Sequence, residues 1–186
     1  MTLEALLDSI PGHAKDLKLN FSSVVTQQTE LTPQQVWGTA VASAYTAGNL
    51  ELLKSVVEHA SQHLSEQQLE AAKGAAAIMG MNNIYYRFLH LTSNEKYKTI
   101  PARLRMNIMR THGVDHLDFE LWCTAVSAIN GCGTCVDSHE KTLRDKGMPE
   151  EKILAAIRIA AVVHAIARTL SAESVLKETE QPVAVG

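Results

Sequence analysis

The sequence has few aromatic residues, 5% of its 186 positions, and few stretches in which apolar and polar residues alternate. β-Sheets are usually built from aromatic and β-branched residues in alternating patterns, so this scarcity argues against a sheet protein. The hydrophobic residues, 46% of the chain, therefore come mainly from alanine and the aliphatic residues, a mixture that favours helices. At this length they can form one hydrophobic core. The composition predicts an all-α protein.

The sequence also lacks a large excess of one charge, a recognisable targeting segment and a long uninterrupted apolar run. The 17 basic and 20 acidic residues give a net charge of -3 and form no basic stripe, so we expect no nucleic-acid partner. The first eight residues include acids but no basic residue, so we expect no signal or transit peptide and a cytoplasmic location. Arg158, His164 and Arg168 interrupt the most apolar stretch, 153–170, so we expect no membrane span.

Cysteine is scarce as well. The chain has three cysteines, and two of them lie in the motif Cys132-Gly133-Thr134-Cys135. An odd number of cysteines in a chain without secretory features argues against a framework of structural disulfides. The Cys-x-x-Cys motif is better interpreted as a redox or metal site.

Capping motifs predict helices along most of the chain. Thr32-Pro33-Gln34-Gln35 combines a capping box with a proline in the first turn, which predicts a helix that ends near Gly48. We expect a second helix over 50–64. Ser65-Glu66-Gln67-Gln68 is another capping box, and it predicts a third helix that continues to Leu89.

A second half resembling the first follows a connection. Residues 92–118 contain proline, glycine and many polar residues, and we expect one short helix there, around 104–109. The sequence 35–41 (QVWGTAV) matches 120–126 (ELWCTAV), with the tryptophan, threonine, alanine and valine in common. This match indicates an internal repeat.

The repeat predicts the architecture. We expect two copies of one helical unit, at about 31–90 and 116–171, packed against each other as a single domain over 1–186. Trp37 and Trp122 occupy the same position in the two copies. They are expected to be equivalent core residues, because each copy needs a large apolar anchor.

The two copies differ in their reactive groups. The second copy has a carboxylate, two thiols and an imidazole: Glu120, Cys132, Cys135 and His139. At the matching positions the first copy has residues that cannot repeat this chemistry: Gln35, Ala47, Leu50 and Lys54. Residues that served only for packing would be expected in both copies. The difference favours a single functional site in the second copy.

The spacing of these residues indicates how they act. Asn130-Gly131 predicts a turn and the helical pattern resumes over 136–146, so the two cysteines flank a helix N-terminus, where the macrodipole stabilises a thiolate. His139 follows Cys135 by four residues, which places both on one helix face. Cys135 is therefore the better candidate for proton exchange with the imidazole. Glu120, on the preceding helix, could orient that imidazole.

The second copy contains Phe119-Glu120-Leu121-Trp122, the run 125–132 (AVSAINGC), Cys135 and His139. In these residues it strongly resembles the AhpD alkyl hydroperoxidases of the carboxymuconolactone decarboxylase-like superfamily. The resemblance extends over most of the chain, including the duplicated unit and its degenerate first copy. It implies an all-helical, AhpD-like subunit that assembles as a homotrimer.

The resemblance also implies an activity. The family members are antioxidant enzymes that reduce organic hydroperoxides with the cysteine pair and re-reduce the partner peroxiredoxin AhpC. Their electrons come from dihydrolipoamide on the lipoylated acyltransferase of a dehydrogenase complex. We therefore expect dihydrolipoamide as an external donor and no bound cofactor or metal.

Each site residue acquires a role by the same resemblance. Cys135 is the thiolate that attacks the peroxide O–O bond, and Cys132 resolves the resulting sulfenic acid as a redox-active disulfide. Glu120 and His139 relay protons. One position departs from the family pattern, because well-known members have a histidine where this chain has Thr134.

A non-catalytic function is the alternative. Cys132, Cys135 and His139 could bind zinc, with Glu120 as the fourth ligand. Closed zinc sites more often use a second pair of cysteines or histidines, so we favour redox chemistry over metal binding. The cysteine pair could also sense oxidants in a helical module without enzymatic activity. The thiol count and metal content of the purified protein separate these functions.

Four further residues are more simply explained by packing or solvation. Cys123 is expected to be a small buried helix residue, although it follows Glu120 by three positions. His59 and His63 have a spacing that could bind a metal, but a solvated helix end is the simpler interpretation. His164 is expected to be a hydrogen-bonded core histidine.

Overall fold

The computed structural model describes residues 1–179, and within this range the backbone forms helices and no β-strand. The α-helices are α1 (Leu3–Asp8), α2 (Lys15–Phe21), α3 (Pro33–Ala47), α4 (Leu50–Ala60), α5 (Glu66–Leu91), α6 (Ile108–Thr111), α7 (His116–Ile129), α8 (Gly133–Asp145) and α9 (Glu150–Thr179). Short 3₁₀ segments lie at Gly12–Ala14 and Glu95–Thr99, and a π-helical turn lies at Ser22–Thr26. The predicted all-α class is confirmed.

Helices α3 and α5 begin at the predicted capping boxes. Thr32 accepts a hydrogen bond from the Gln35 backbone N–H at 3.3 Å, and the Gln35 side chain accepts one from the Thr32 N–H at 3.1 Å. Ser65 and Gln68 repeat this arrangement at the start of α5. Helix α3 ends at Gly48, whose φ of 78° is costly for a residue with a side chain. The sequence therefore contains the start and stop signals that these helices use.

Two predicted helices differ from the observed ones. Helix α4 ends at Ala60 instead of residue 64, because the next N–H groups, of Gln62 and His63, form tighter bonds to carbonyls three residues earlier. In the connection 92–118 the short helix is α6, and Leu104 lies outside it. The backbone near Leu104 includes Arg103 with a φ of 53°, which is incompatible with a continuous α-helix. Helices α1 and α2 were not predicted.

The core is formed mainly by α3, α5, α7 and α9. Helix α3 contacts α5, α7 and α9, and α7 contacts α5, α8 and α9. Helices α3 and α7 approach closely at Gly38, where a Cβ atom would lie only 2.2 Å from the indole ring of Trp122. Trp37 and Trp122 are both buried, as predicted. The missing side chain of Gly38 makes room for the tryptophan of the second half.

The helix order matches the predicted repeat. Helices α3, α4 and α5 are followed, after the connection, by α7, α8 and α9 in the same order. The copy boundaries at about 31–90 and 116–171 stay a prediction. The predicted domain, 1–186, ends with residues 180–186, which lie outside the described range.

Helix α9 is the longest helix described. Its segment Glu150–Lys177 is long and apolar enough to cross a membrane by length and composition alone. Half of its most apolar window is buried inside the protein, and the helix contacts α3 and α7. Helices in the core of soluble proteins meet the same criterion, so the expected absence of a membrane span stays a prediction.

Candidate redox site

The cysteine motif lies at the junction of α7 and α8. Cys132 is the N-cap residue of α8, and Cys135 lies in its first turn. Gly131, with a φ of 67°, forms the tight turn that precedes them. The Cys132 N–H donates to the Ser127 carbonyl at 3.1 Å. The predicted turn and the position of both cysteines at a helix N-terminus are confirmed.

Cys132 and Cys135 are joined in a disulfide, with their Cα atoms 5.3 Å apart. Cys132 is fully buried, whereas Cys135 is 6% exposed. Cys123, on α7, is a free and buried thiol, as expected for a packing residue. Burial, together with the Glu120 carboxylate, raises the pKa of the Cys123 thiol well above its ordinary range. Cys123 is therefore protonated at neutral pH and poorly nucleophilic.

Glu120 and His139 form a buried pair between α7 and α8. The His139 Nδ1 atom lies 2.6 Å from the Glu120 Oε2 atom, and their side chains are 11% and 8% exposed. Because an ionised carboxylate only accepts hydrogen bonds, the imidazole donates from Nδ1–H, and a neutral ring then has its free lone pair on Nε2. The sequence indicated that Glu120 could orient the His139 imidazole, and the structure shows this contact. It leaves one ring nitrogen available for proton exchange.

His139 and Cys135 share the buried face of α8, as their spacing predicted. The buried residues of this helix are Cys135, His139 and Leu143, each four positions after the one before. Thr134, the position noted above as a departure from the resemblance, is exposed. The structure therefore places all four predicted residues around one junction, with Thr134 outside the buried group.

A polar network from α5 holds this junction, and the sequence analysis did not find it. Asn83 is fully buried, donates from Nδ2 to Ser127 Oγ at 2.9 Å, and accepts from Asn130 Nδ2 at 2.9 Å. Arg87, one turn later on α5, donates to the Asn130 carbonyl. These bonds fix the C-terminal end of α7 just before the cysteine motif. The i, i+4 spacing of Asn83 and Arg87 in a largely apolar helix was the available signal.

The sequence analysis also missed a second histidine beside Glu120. His116 Nε2, in the first turn of α7, lies 3.7 Å from Glu120 Oε1. Its ring centroid is 6.0 Å from that of His112, and the His112 ring stacks on Phe119 at 4.2 Å. The spacing of His116 and Glu120, four residues apart in a helix, could have identified this contact.

Outside the site, one expectation gains a contact and another needs correction. His59 is partly buried and His63 is exposed near the C-terminal end of α4, and their rings also lie 4.5 and 5.3 Å from the ring of Trp37, which was not predicted. His164 is not hydrogen-bonded as expected, because its buried Nδ1 atom has no hydrogen-bond partner among the described residues. Both differences depend on neighbours that are distant in the sequence.

Other candidate sites do not include the four predicted residues. Within residues 1–179, no three His, Cys, Asp or Glu side chains are grouped as metal ligands. A cleft of about 780 Å³ lies between the N-terminal helices and the group formed by Trp37, His59 and His63. This cleft does not reach the cysteine motif. The four residues with redox and acid–base groups therefore lie at the α7–α8 junction, away from this cleft.

Known proteins are similar to this chain over nearly its whole length. The profile of the Carboxymuconolactone decarboxylase family matches residues 95–178, which contain all four predicted residues. A protein named Alkyl hydroperoxide reductase AhpD from Acidobacterium capsulatum is 63% identical over 175 residues, which are 94% of this chain and 96% of that protein. Proteins of the same name from Solibacter usitatus and Rhodospirillum centenum are 60% and 51% identical, over 94% and 100% of this chain and 98% and 99% of theirs. Since more than half of the residues are identical across almost the full length, the chain belongs to the AhpD family of carboxymuconolactone decarboxylase-like proteins.

Proposed function

We propose that this protein is an antioxidant alkyl hydroperoxide reductase whose Cys132–Cys135 pair cycles between dithiol and disulfide. The names of the relatives support this activity. The observation that carries the proposal is the buried hydrogen bond between Glu120 and His139, one helical turn from Cys135. A paired carboxylate and imidazole next to a thiol is an arrangement suited to acid–base assistance of a nucleophile.

Hydroperoxide reduction takes place in two steps in this proposal. The Cys135 thiolate attacks a peroxide oxygen, so an S–O bond forms, the O–O bond breaks, and the departing alkoxide receives a proton from His139. The thiol of Cys132 then attacks the sulfenic acid, which forms the disulfide and releases water. In total, one hydroperoxide and two thiols give one alcohol, one water and one disulfide.

The position of Cys135 at the start of α8 supports its role as the nucleophile. Unpaired backbone N–H groups and the positive end of the helix dipole stabilise a thiolate there. Cys135 also shares its helix face with His139 and is slightly more exposed than Cys132. A peroxide therefore reaches Cys135 first, and the fully buried Cys132 is placed to resolve.

The disulfide must then be reduced by an external dithiol. We propose dihydrolipoamide, carried by a lipoylated acyltransferase, as the donor and AhpC as the peroxiredoxin that the reduced protein serves. One donor thiolate attacks the sulfur of Cys135, the more exposed residue of the pair, and forms a mixed disulfide with it. Cys132 leaves as a thiolate and takes up the proton that the donor thiol lost. The second donor thiol then releases Cys135, so that dihydrolipoamide becomes lipoamide and the protein regains two thiols. No cofactor bound to the protein itself is needed for this exchange.

The fully reduced protein should lose two reactive thiols on treatment with one equivalent of an organic hydroperoxide, and peptide mapping should show a Cys132–Cys135 disulfide. Cys123 should not react with iodoacetamide at neutral pH. Because the pKa of Cys123 is raised, its thiolate forms only at a pH above the ordinary range of cysteine pKa values, and at lower pH the thiol is protonated. A dominant disulfide that includes Cys123 would contradict the site assignment.

The same samples separate the alternative functions. A zinc-binding module would contain about one tightly held metal ion per chain and resist oxidation of the pair. A redox sensor would form the disulfide but would not turn over. We expect continuous reduction of an organic hydroperoxide when dihydrolipoamide is supplied in excess, which would exclude both alternatives.

We further propose that the enzyme acts as a homotrimer in the cytoplasm, with neither nucleic acid nor a membrane as partner. The net charge of -3 is consistent with the lack of a nucleic-acid partner. Exposed apolar residues at the end of α5 and in the connection that follows it support assembly, and we refer to them together as the apolar patch: Ile84, Phe88, Leu91, Tyr97, Ile100 and Leu104. The rings of Phe88 and Tyr97 contact each other at 5.3 Å, which links the two parts of the patch.

Light scattering should give a mass close to three times the 20.3 kDa of one chain at micromolar concentration. Phe88→Glu should shift this mass toward the monomer, because it places a charge in the patch that assembly would cover. Leu19→Glu is the matched control, since Leu19 is also exposed but lies on α2. A wild-type monomer would remove the trimer from the proposal and leave the redox chemistry in place.

A further inference from the structure

Glu120 contacts a different histidine with each of its carboxylate oxygens. Oε2 lies 2.6 Å from Nδ1 of His139, and Oε1 lies 3.7 Å from Nε2 of His116. Glu120 and His139 are buried, whereas the His116 side chain is 42% exposed. We propose that His116 is a positioning residue whose protonation, at the solvent side of Glu120, sets how readily the buried Glu120–His139 pair accepts a proton. This inference rests on the proposed function, because it concerns the same thiol chemistry.

Several titratable groups face His116. His112 lies beside it in the preceding connection, and burial, followed by the charge of His116, lowers the pKa of His112. Of these two neighbouring rings, His116 is the one in contact with Glu120. The acidic residues of α7 are Glu120, in direct contact with His116, and Asp118, which accepts a hydrogen bond from Gln35; Asp115 is the N-cap residue. Because the helix dipole opposes a cation in the first turn, the attraction to Glu120 is the main contact that holds a charged His116 in place.

Whether a charge on His116 speeds or slows activation of the Cys135 thiol follows from where the proton moves. When Cys135 gives its thiol proton to His139, a positive charge arises on the ring that contacts Glu120, and the other oxygen of that carboxylate faces His116. A positive charge on His116 opposes this transfer, and its loss favours it. We expect thiol activation to be about twofold to fivefold faster when His116 is neutral, the size of effect typical of a partly exposed ion pair.

Two substitutions hold position 116 in the two charge states. Glutamine is uncharged at every pH, and lysine stays positively charged up to about pH 10. In the hydroperoxide assay between pH 5.5 and 8.5, kcat/KM of the wild type should equal that of His116→Lys at low pH and that of His116→Gln at high pH. The two variants should differ by about twofold to fivefold. If both variants keep the wild-type profile, or change the rate equally at every pH as a structural role would, the proposal is wrong.

His13→Gln is the matched control. Like His116, His13 has an exposed ring that lies 3.7 Å from a carboxylate, that of Glu173, which belongs to a different part of the protein. It should retain the wild-type pH profile. A change as large as that of the His116 variants would show a general effect of surface charge, which would overturn the proposal.

A second measurement does not require turnover. The rate at which iodoacetamide alkylates Cys135 in the reduced protein, followed by peptide mass spectrometry, reports thiolate formation directly. Near pH 6 the His116→Gln variant should react faster than His116→Lys, and the difference should disappear when both also carry Glu120→Gln. An equal difference without the carboxylate would refute a role through Glu120. If the wild type reduces no hydroperoxide, the proposed function fails while this comparison still decides the role of His116.

Discussion

Cys135→Ser should abolish hydroperoxide reduction and the formation of any sulfenic acid, whereas Cys132→Ser should form the sulfenic acid and accumulate it. The difference follows from position, because Cys135 is the more exposed residue and shares a helix face with His139, while Cys132 is fully buried. Without Cys132 no thiol is adjacent to resolve the oxidised sulfur. Dimedone labelling after one equivalent of an organic hydroperoxide, read by mass spectrometry, measures both variants.

Cys123→Ala is the control for these two variants. It removes the third thiol but leaves the pair intact, and its small side chain suits a position that is fully buried. We expect the variant to keep near wild-type turnover and to form the same Cys132–Cys135 disulfide. Dimedone labelling of Cys132 in Cys135→Ser would reverse the roles of the two cysteines.

Much of the architecture could be predicted from local sequence signals. The capping boxes at Thr32 and Ser65 and the glycine at position 48 define helix ends by contacts within four residues, so no distant neighbour is needed to predict them. Helices α1 and α2 contain only six and seven residues. Over so short a length the periodicity of apolar residues is a weak signal, and these helices are stabilised by packing on the rest of the protein.

The residues of the site could be predicted from the sequence, but the contacts between side chains on different helices could not. The i, i+4 spacing of Cys135 and His139 guarantees a shared helix face, and the structure shows it. The contact between Glu120 and His139 depends instead on how α7 approaches α8. That approach is fixed by the turn at Gly131 and by bonds from Asn83, which lies on α5 and is distant in the sequence.

The remaining differences have the same physical origin. His59 and His63 were expected at a solvated helix end, and their spacing could not predict that Trp37 of another helix stacks on His63 and contacts His59. His164 was expected to find a hydrogen-bond partner, yet its Nδ1 is enclosed without one in the described part of the chain. Periodicity identifies which side of a helix is apolar. It does not identify the side chain that will face a given residue from a neighbouring helix.

Glu120→Gln and His139→Gln should each slow hydroperoxide reduction by about 10²- to 10⁴-fold while leaving all three thiols in place. Glutamine at position 120 keeps the side-chain length but removes the negative charge that stabilises a protonated His139. Glutamine at position 139 removes the group that accepts and returns the proton. Single-turnover kinetics of the reduced protein measure this step separately from donor binding, and thiol titration verifies that the cysteines are intact.

Asp118→Asn is the matched control for the relay variants, because it removes another partly buried carboxylate from the same helix. Burial raises the pKa of Asp118, although a hydrogen bond from Gln35 at 2.9 Å opposes this shift. Asparagine can accept the same hydrogen bond, so Asp118→Asn should retain near wild-type single-turnover rates. A loss as large as that of Glu120→Gln would mean that buried charge on α7 matters in general. Full activity of Glu120→Gln or His139→Gln would exclude the altered residue from proton transfer, and the thiolate would then depend on the α8 N-terminus alone.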